Sequence, residues 1–215
     1  MPAELTLADQ ARLVAALREA LGPGVRVIET HISYVLLTGA HAYKIKKAVS
    51  FGFVDFSTLA LRHRYCEEEL RLNRRLAPAV YLDVVAIAGN VDRPEPGGTG
   101  EAIEYAVRMR EFPQEALLSR ELERGELSAQ EIDALAAIVA AFHARVAVAK
   151  PGDGYGSPED VLGYARENFE HLDRLRGDPA ERIALSALRD WTERESAALR
   201  GTIEARVAGG FVREG

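Results

Sequence analysis

The sequence predicts an α+β fold: a five-stranded antiparallel sheet with one packed helix forms a first lobe over residues 1–112, and a mainly helical second lobe covers 113–215. Two observations predict it. Short extended runs separated by glycine and proline turns fill the first half, and beyond Phe112-Pro113 apolar residues recur almost only at helical spacing. In order, a leading helix is expected from Leu7 to Leu21, opened by a capping box of Thr6 and Asp9 and stopped by Gly22-Pro23-Gly24. Extended runs follow at 25–30, 34–37 and 42–46, the last two joined by the turn Thr38-Gly39-Ala40-His41. A helix from Thr58 to Leu76, with Ser57 as its cap, stops before Pro78. Strands at 81–88 and 102–109 then flank a loop rich in proline and glycine (Pro94, Pro96, Gly97, Gly98, Gly100).

In the second lobe, Ser128 and Glu131 make a capping box for a helix to about Val148, with Ile132, Leu135, Ile138, Val139 and Phe142 on its inner face. Pro151 to Gly156 is a loop, Ser157-Pro158 starts another helix, and Gly177-Asp178-Pro179 precedes a long helix around Trp191.

Composition narrows the function. With 47% hydrophobic and 28% charged residues the chain is an ordinary globular protein. A net charge of -6 argues against a general nucleic-acid partner, while the Lys and Arg gathered between residues 44 and 75 suit a phosphate. Cys66, the only cysteine, excludes an internal disulfide and a cysteine-cluster zinc site, and as a packing residue accords with a reducing cytoplasm. No apolar run reaches the roughly 18 to 20 residues that span a bilayer, and Met1-Pro2-Ala3-Glu4 lacks the basic, then apolar start of a signal peptide. A cytoplasmic protein without a membrane partner is expected.

The residues with chemical potential are Lys44, Lys46 and Lys47 on a strand, and Glu67, Glu68 and Glu69 on the next helix. Side chains alternate along a strand, so if Tyr43 and Ile45 face the core, Lys44 and Lys46 share the other face and Lys47 points away. Glu69, Leu72 and Leu76 share a helical stripe, which favours Glu69 as the carboxylate facing the sheet. Such charges taken singly usually serve only solvation; their ordered combination is what a phosphate-binding lysine and its carboxylate partner require. Tyr43-Lys44-Ile45-Lys46 has the shape of the kinase V-A-I-K motif, which favours Lys46 over Lys44 as the phosphate lysine.

The chain resembles the aminoglycoside phosphotransferase-like proteins of kinase-like fold, in particular a bacterial subgroup fused to a C-terminal P-loop ATPase domain. The resemblance rests on Glu29 to Gly39, Ala42 to Lys47, Phe51 to Leu59 (including Phe53), Tyr65 to Leu76 and Glu104 to Pro113, with weaker similarity beyond. It implies ATP with Mg2+ as the cofactors and phosphoryl transfer to a hydroxyl of an unknown small-molecule acceptor. Lys46 would meet the α and β phosphates, Glu69 would hold it, and the backbone of Arg110, Glu111 and Phe112 would meet the adenine. Thr30-His31-Ile32-Ser33 would be the phosphate-covering loop; it has no glycine, so hydroxyls of Thr30 or Ser33 would stand in for backbone amides.

The family's H-G-D-x-H-x-x-N segment, which supplies the catalytic carboxylate and magnesium ligands, does not occur in this sequence. The run Gly209 to Gly215 resembles the approach to it, so a truncated chain is expected, inactive alone, with those ligands outside it. The alternative is a nucleotide-binding pseudokinase or a regulatory or interaction module. The remaining candidates read as structural: Gly152 to Gly156 as an interhelical connection, Gly97-Gly98-Thr99-Gly100 as a loop tip, His31 as a polar loop residue, His143 as a packing histidine, Trp191 as a core or interface anchor. His171, Asp173 and Asp178 lie close in sequence without metal spacing.

Overall fold

A computed structural model describes residues 4–52, 54–150, 152–175 and 178–214; Met1, Pro2, Ala3, Phe53, Pro151, Gly177 and Gly215, which enter the sequence reading, lie outside them. The chain divides into two compact units, Met1–Leu127 and Ser128–Gly215. The expected boundary after Phe112 therefore moves. The single turn Gln114–Ala116 and the short helix α3 (Leu118–Arg124) group with the first unit, and Gln114 lines the same cleft as its strands.

Local signals set the first unit's helices. Thr6 and Asp9 form the capping box of α1 (Leu7–Ala20), the Asp9 amide donating to Thr6 Oγ1 at 3.1 Å. Its buried residues Gln10, Leu13, Val14 and Leu17 follow the one-face spacing of an α-helix. α2 (Leu59–Asn73) is capped by Thr58, whose hydroxyl accepts from the Leu61 amide at 3.2 Å. The expected cap Ser57 instead gives its amide to Asp55 at 3.0 Å, because the aspartate two residues back captures it in a local turn. α2 also ends before the expected Leu76, which is exposed.

Among the described residues the sheet is antiparallel throughout and has six strands rather than five: β1 (Arg26–Glu29), β2 (Ser33–Leu37), β3 (His41–Lys46), β4 (Tyr81–Asn90), β5 (Arg93–Pro96) and β6 (Glu104–Arg110), in the order β1-β2-β3-β6-β4-β5. The sixth, β5, occupies part of the segment expected as a loop. Its prolines are tolerated because it is an edge strand, where a missing N–H costs no ladder bond. Gly89, at φ +84, opens the β4–β5 hairpin where a Cβ would collide with the Arg93 carbonyl.

One face of the sheet packs on α1, where Leu13, Leu17, Tyr34, Leu36, Ile45, Ile87 and Ala106 form the core. Each leucine or isoleucine among them contributes roughly 1.5–3 kcal/mol by leaving water. The other face carries α2, anchored by buried Cys66 and Leu70.

A buried polar network joins both helices to the sheet. Gln10, Arg62 and Glu104 are all fully buried. Arg62 Nε donates to both Glu104 oxygens at 3.0 and 2.9 Å, and Nη1 donates to the carbonyls of Phe56 and Ser57. Gln10 Nε2 donates to Glu104 at 2.7 Å and to the Lys46 carbonyl at 2.9 Å, while its Oε1 accepts from the Ala48 amide at 2.7 Å. Burial pushes the Glu104 carboxyl above its ordinary value, against the pull of Arg62, Gln10 and the Tyr105 amide. Arg62 Nη2 has no hydrogen-bond partner among the described residues.

In the second unit, Ser128 and Glu131 form the expected capping box of α4 (Ala129–Arg145). α5 (Pro158–Leu175) and α6 (Pro179–Ala208) pack antiparallel, as the ion pairs Arg189–Asp173, Arg166–Glu193 and Arg200–Glu159 require. Three packing expectations fail here. Ile132, Leu135, Ile138 and Val139 on α4 are exposed and only Phe142 of that stripe is buried; His143 is exposed; and Trp191 is 53% exposed. Where α5 and α6 meet, Phe169 and Leu185 are buried, but Val161, Tyr164, Ile183 and Leu188 stay exposed, and the described residues leave the α4 stripe open as well. Among the described residues, no helix is long and apolar enough to cross a membrane.

The buried network yields a stability prediction. Arg62→Leu strands the Glu104 carboxylate in the interior and should lower the unfolding free energy by about 3–5 kcal/mol. Adding Glu104→Leu should restore a substantial part of that loss. Urea unfolding followed by far-UV circular dichroism measures both; a double variant no more stable than the single would show that the pair's charge is not the cause.

Candidate functional site

Strand alternation in β3 works as the sequence implies. Ile45 and Tyr43 pack with the α1 core, whereas Lys44 and Lys46 reach across to α2. There Glu69 meets both: Lys44 Nζ donates to Oε1 at 2.8 Å and Lys46 Nζ donates to Oε2 at 2.7 Å. Lys47 turns to the opposite side, pairing with Glu29 at 2.6 Å and lying 4.6 Å over the Tyr34 ring. Glu67 and Glu68 face solvent beside His63 and Arg71.

Burial alone would push the Glu69 carboxyl up, but the two ammonium groups outweigh it and hold its pKa below the ordinary carboxylate value. Lys46 is the more enclosed of the two lysines and lies 5.0 Å over the Phe56 ring. Beneath them burial pushes the Cys66 thiol up to about 12, which keeps it neutral. The Tyr81 hydroxyl is likewise raised, by burial and by the Glu69 charge.

A cleft of about 650 Å³ opens beside this triad. Val35, Leu37, Ala42 and Met109 give it an apolar surface; Lys44 and Tyr81 line it, while Lys46 and Glu69 are not among its lining residues. Thr30 to Ser33 and Arg110 to Phe112, the two segments expected to meet phosphate and adenine, both line it.

Their polar groups are already partly engaged. Thr30 Oγ1 accepts from the Ser33 amide at 2.9 Å and from the Ile32 amide at 3.3 Å, and the two hydroxyls of Thr30 and Ser33 lie 2.9 Å apart. Ser33 is buried. The loop is thus closed on itself by Thr30, which explains how it folds tightly without glycine. The Glu111 carboxylate accepts from the Gly39 amide at 2.7 Å and faces Arg26 at 3.5 Å, and its own amide donates to the Ala40 carbonyl. Phe112 is partly exposed on the cleft.

Among the described residues, no group of three or more His, Cys, Asp or Glu side chains could hold a metal ion. His31 lies 6.5 Å from the Phe51 ring, and Gly152, Gly154 and Gly156 turn the connection between α4 and α5.

Gln10, Phe56, Arg62, Tyr81 and Glu104 belong to the surroundings of the site and were not singled out by the sequence. Two of them had a readable signal. Gln10 interrupts the apolar stripe of α1, and Arg62 sits in helical register with Cys66 and Leu70. A polar residue on a core-facing stripe needs a buried partner.

Three curated relatives carry the same stretch: uncharacterized proteins of Mycobacterium bovis and of two strains of Mycobacterium tuberculosis, each 35% identical over 154 residues. The match takes in 72% of this chain but only 29% of each relative, so the chain spans under a third of their length. No family model matches the chain, and no solved structure matches it.

The depressed Glu69 pKa fixes a pH dependence. Its ionised form contributes stability above its unfolded-state value, and that contribution is lost as pH falls through the lower folded-state value. Glu69→Gln should therefore be clearly less stable than wild type at about pH 7, with the difference shrinking toward about pH 3. Paired urea titrations across that window would detect it; a difference independent of pH would exclude the ionised triad.

Proposed function

We propose that this chain is the ATP-binding portion of an aminoglycoside phosphotransferase-like small-molecule kinase that transfers phosphate to a hydroxyl acceptor. The observation that carries the reading is the pair of lysines held on the two oxygens of Glu69, at the side of a cleft bounded by Thr30–Ser33 and Arg110–Phe112. Phosphoryl transfer depends on positioning and on neutralising phosphate charge, and a lysine on a rigid strand braced by a helix carboxylate supplies both. The apolar cleft surface suits a flat base, and the chain beyond β6 offers backbone groups beside it.

Within this proposal, Mg2+ and the acceptor-activating carboxylate are held by a segment outside this sequence, and this chain's residues bind and orient the nucleotide. The greater length of the mycobacterial relatives leaves room for that segment and for a P-loop ATPase domain in proteins of that size. A cytoplasmic location fits a nucleotide-dependent protein whose one cysteine is a buried, neutral thiol.

A second reading, a pseudokinase or regulatory module that binds nucleotide without transfer, draws on the loop at Thr30. Its hydroxyl already takes the amides of Ile32 and Ser33, leaving fewer donors for a transferring phosphate.

Titration with a non-hydrolysable ATP analogue and magnesium tests both readings. Wild type should bind saturably and Lys44→Ala/Lys46→Ala at least about ten-fold more weakly, the loss expected when charged hydrogen bonds are removed. Absence of binding by either form, or equal binding by both, overturns the nucleotide reading. Binding by a longer protein that contains H-G-D yet transfers no phosphate would select the second.

A further inference from the structure

Resting on the nucleotide reading, we propose that Lys44, rather than Lys46, is the lysine that touches the ligand's phosphate, and that Lys46 is a positioning residue that shares Glu69 with it. The two ammonium groups stand on one face of β3, two residues apart, and each takes one oxygen of Glu69. They differ in what else surrounds them. The Lys46 side chain is 8% exposed, lies 5.0 Å over the Phe56 ring, and springs from a backbone whose carbonyl is fastened by Gln10. The Lys44 side chain is 28% exposed and lines the cleft, which Lys46 does not.

Charge counting points the same way. Among the described residues, two cations against the single Glu69 carboxylate leave one positive charge without an ion-pair partner at the edge of an apolar cleft, an arrangement that an incoming anion completes. The other carboxylate of the cleft, Glu111, is occupied by the Gly39 amide and Arg26. An ammonium has three N–H donors, so Lys44 keeps donors for a ligand after giving one to Glu69. Lys46, by taking the second Glu69 oxygen, prevents the carboxylate from engaging Lys44 with both.

Amine labelling of the whole chain, mapped by mass spectrometry, separates the two lysines without any mutation. In free protein Lys44 should be labelled and Lys46 spared; an ATP analogue or inorganic triphosphate should protect Lys44, and adenosine should not. Lys44→Met should weaken the ATP analogue at least about ten-fold while leaving adenosine affinity unchanged. Lys46→Met should slow labelling of Lys44, now held by both Glu69 oxygens, and Lys46→Arg should restore it.

Lys44 labelling unchanged by bound ATP analogue, or Lys44→Met binding it as tightly as wild type, overturns the assignment while leaving the nucleotide reading intact. Failure of wild type to bind either ATP analogue or triphosphate removes both together.

Discussion

A carboxylate taken wholly out of water must be paired, and in the first unit that requirement falls on Glu104. Satisfying it draws Arg62 from α2 and Gln10 from α1 to the same end of the sheet, so elements far apart in sequence converge on one point. Gln10 then spends its remaining donor and its acceptor on the backbone of residues 46 and 48. The strand bearing the lysines is thereby pinned at its exit, next to Lys46. An apolar core alone would hold α1 against the sheet, but it would not fix the register of that strand end as directed hydrogen bonds do.

The same strand serves two unlike surfaces because side chains alternate with period two. Ile45 completes the apolar layer under α1 while its neighbours Lys44 and Lys46 build a polar layer under α2. A one-residue slip of β3 would exchange these sets, burying ammonium groups in the core and exposing isoleucine. Sheet register and the chemistry of the site are thus one constraint.

What the sequence disclosed follows from how far each interaction reaches along the chain. The capping boxes at Thr6 and Ser128, the alternation of residues 43 to 46, and Glu69 as the facing carboxylate were all legible, since each depends on neighbours or on a single period. The bond from Gln10 to Glu104 spans 94 positions and left only an indirect trace, a glutamine on an apolar stripe. Thr58 displaced Ser57 as the cap through competition from Asp55. The exposed α4 stripe and Trp191 show another limit: periodicity tells which face of a helix is apolar, and not what covers it. The strand β5 was hidden because proline and glycine signal turns whether they end a sheet or border it.

The prolines of that strand have a further effect. Gly97 donates its amide to the Ala86 carbonyl, so the odd-numbered positions of β5 face β4 and the outward positions are 94 and 96. Both are proline, so neither can offer a donor to another strand. The sheet therefore has one margin that resists growth by main-chain pairing and one, at β1, whose ladder ends in ordinary amides beside exposed Val27 and Ile28. Intermolecular strand addition, whether useful or aggregating, is directed to the β1 side.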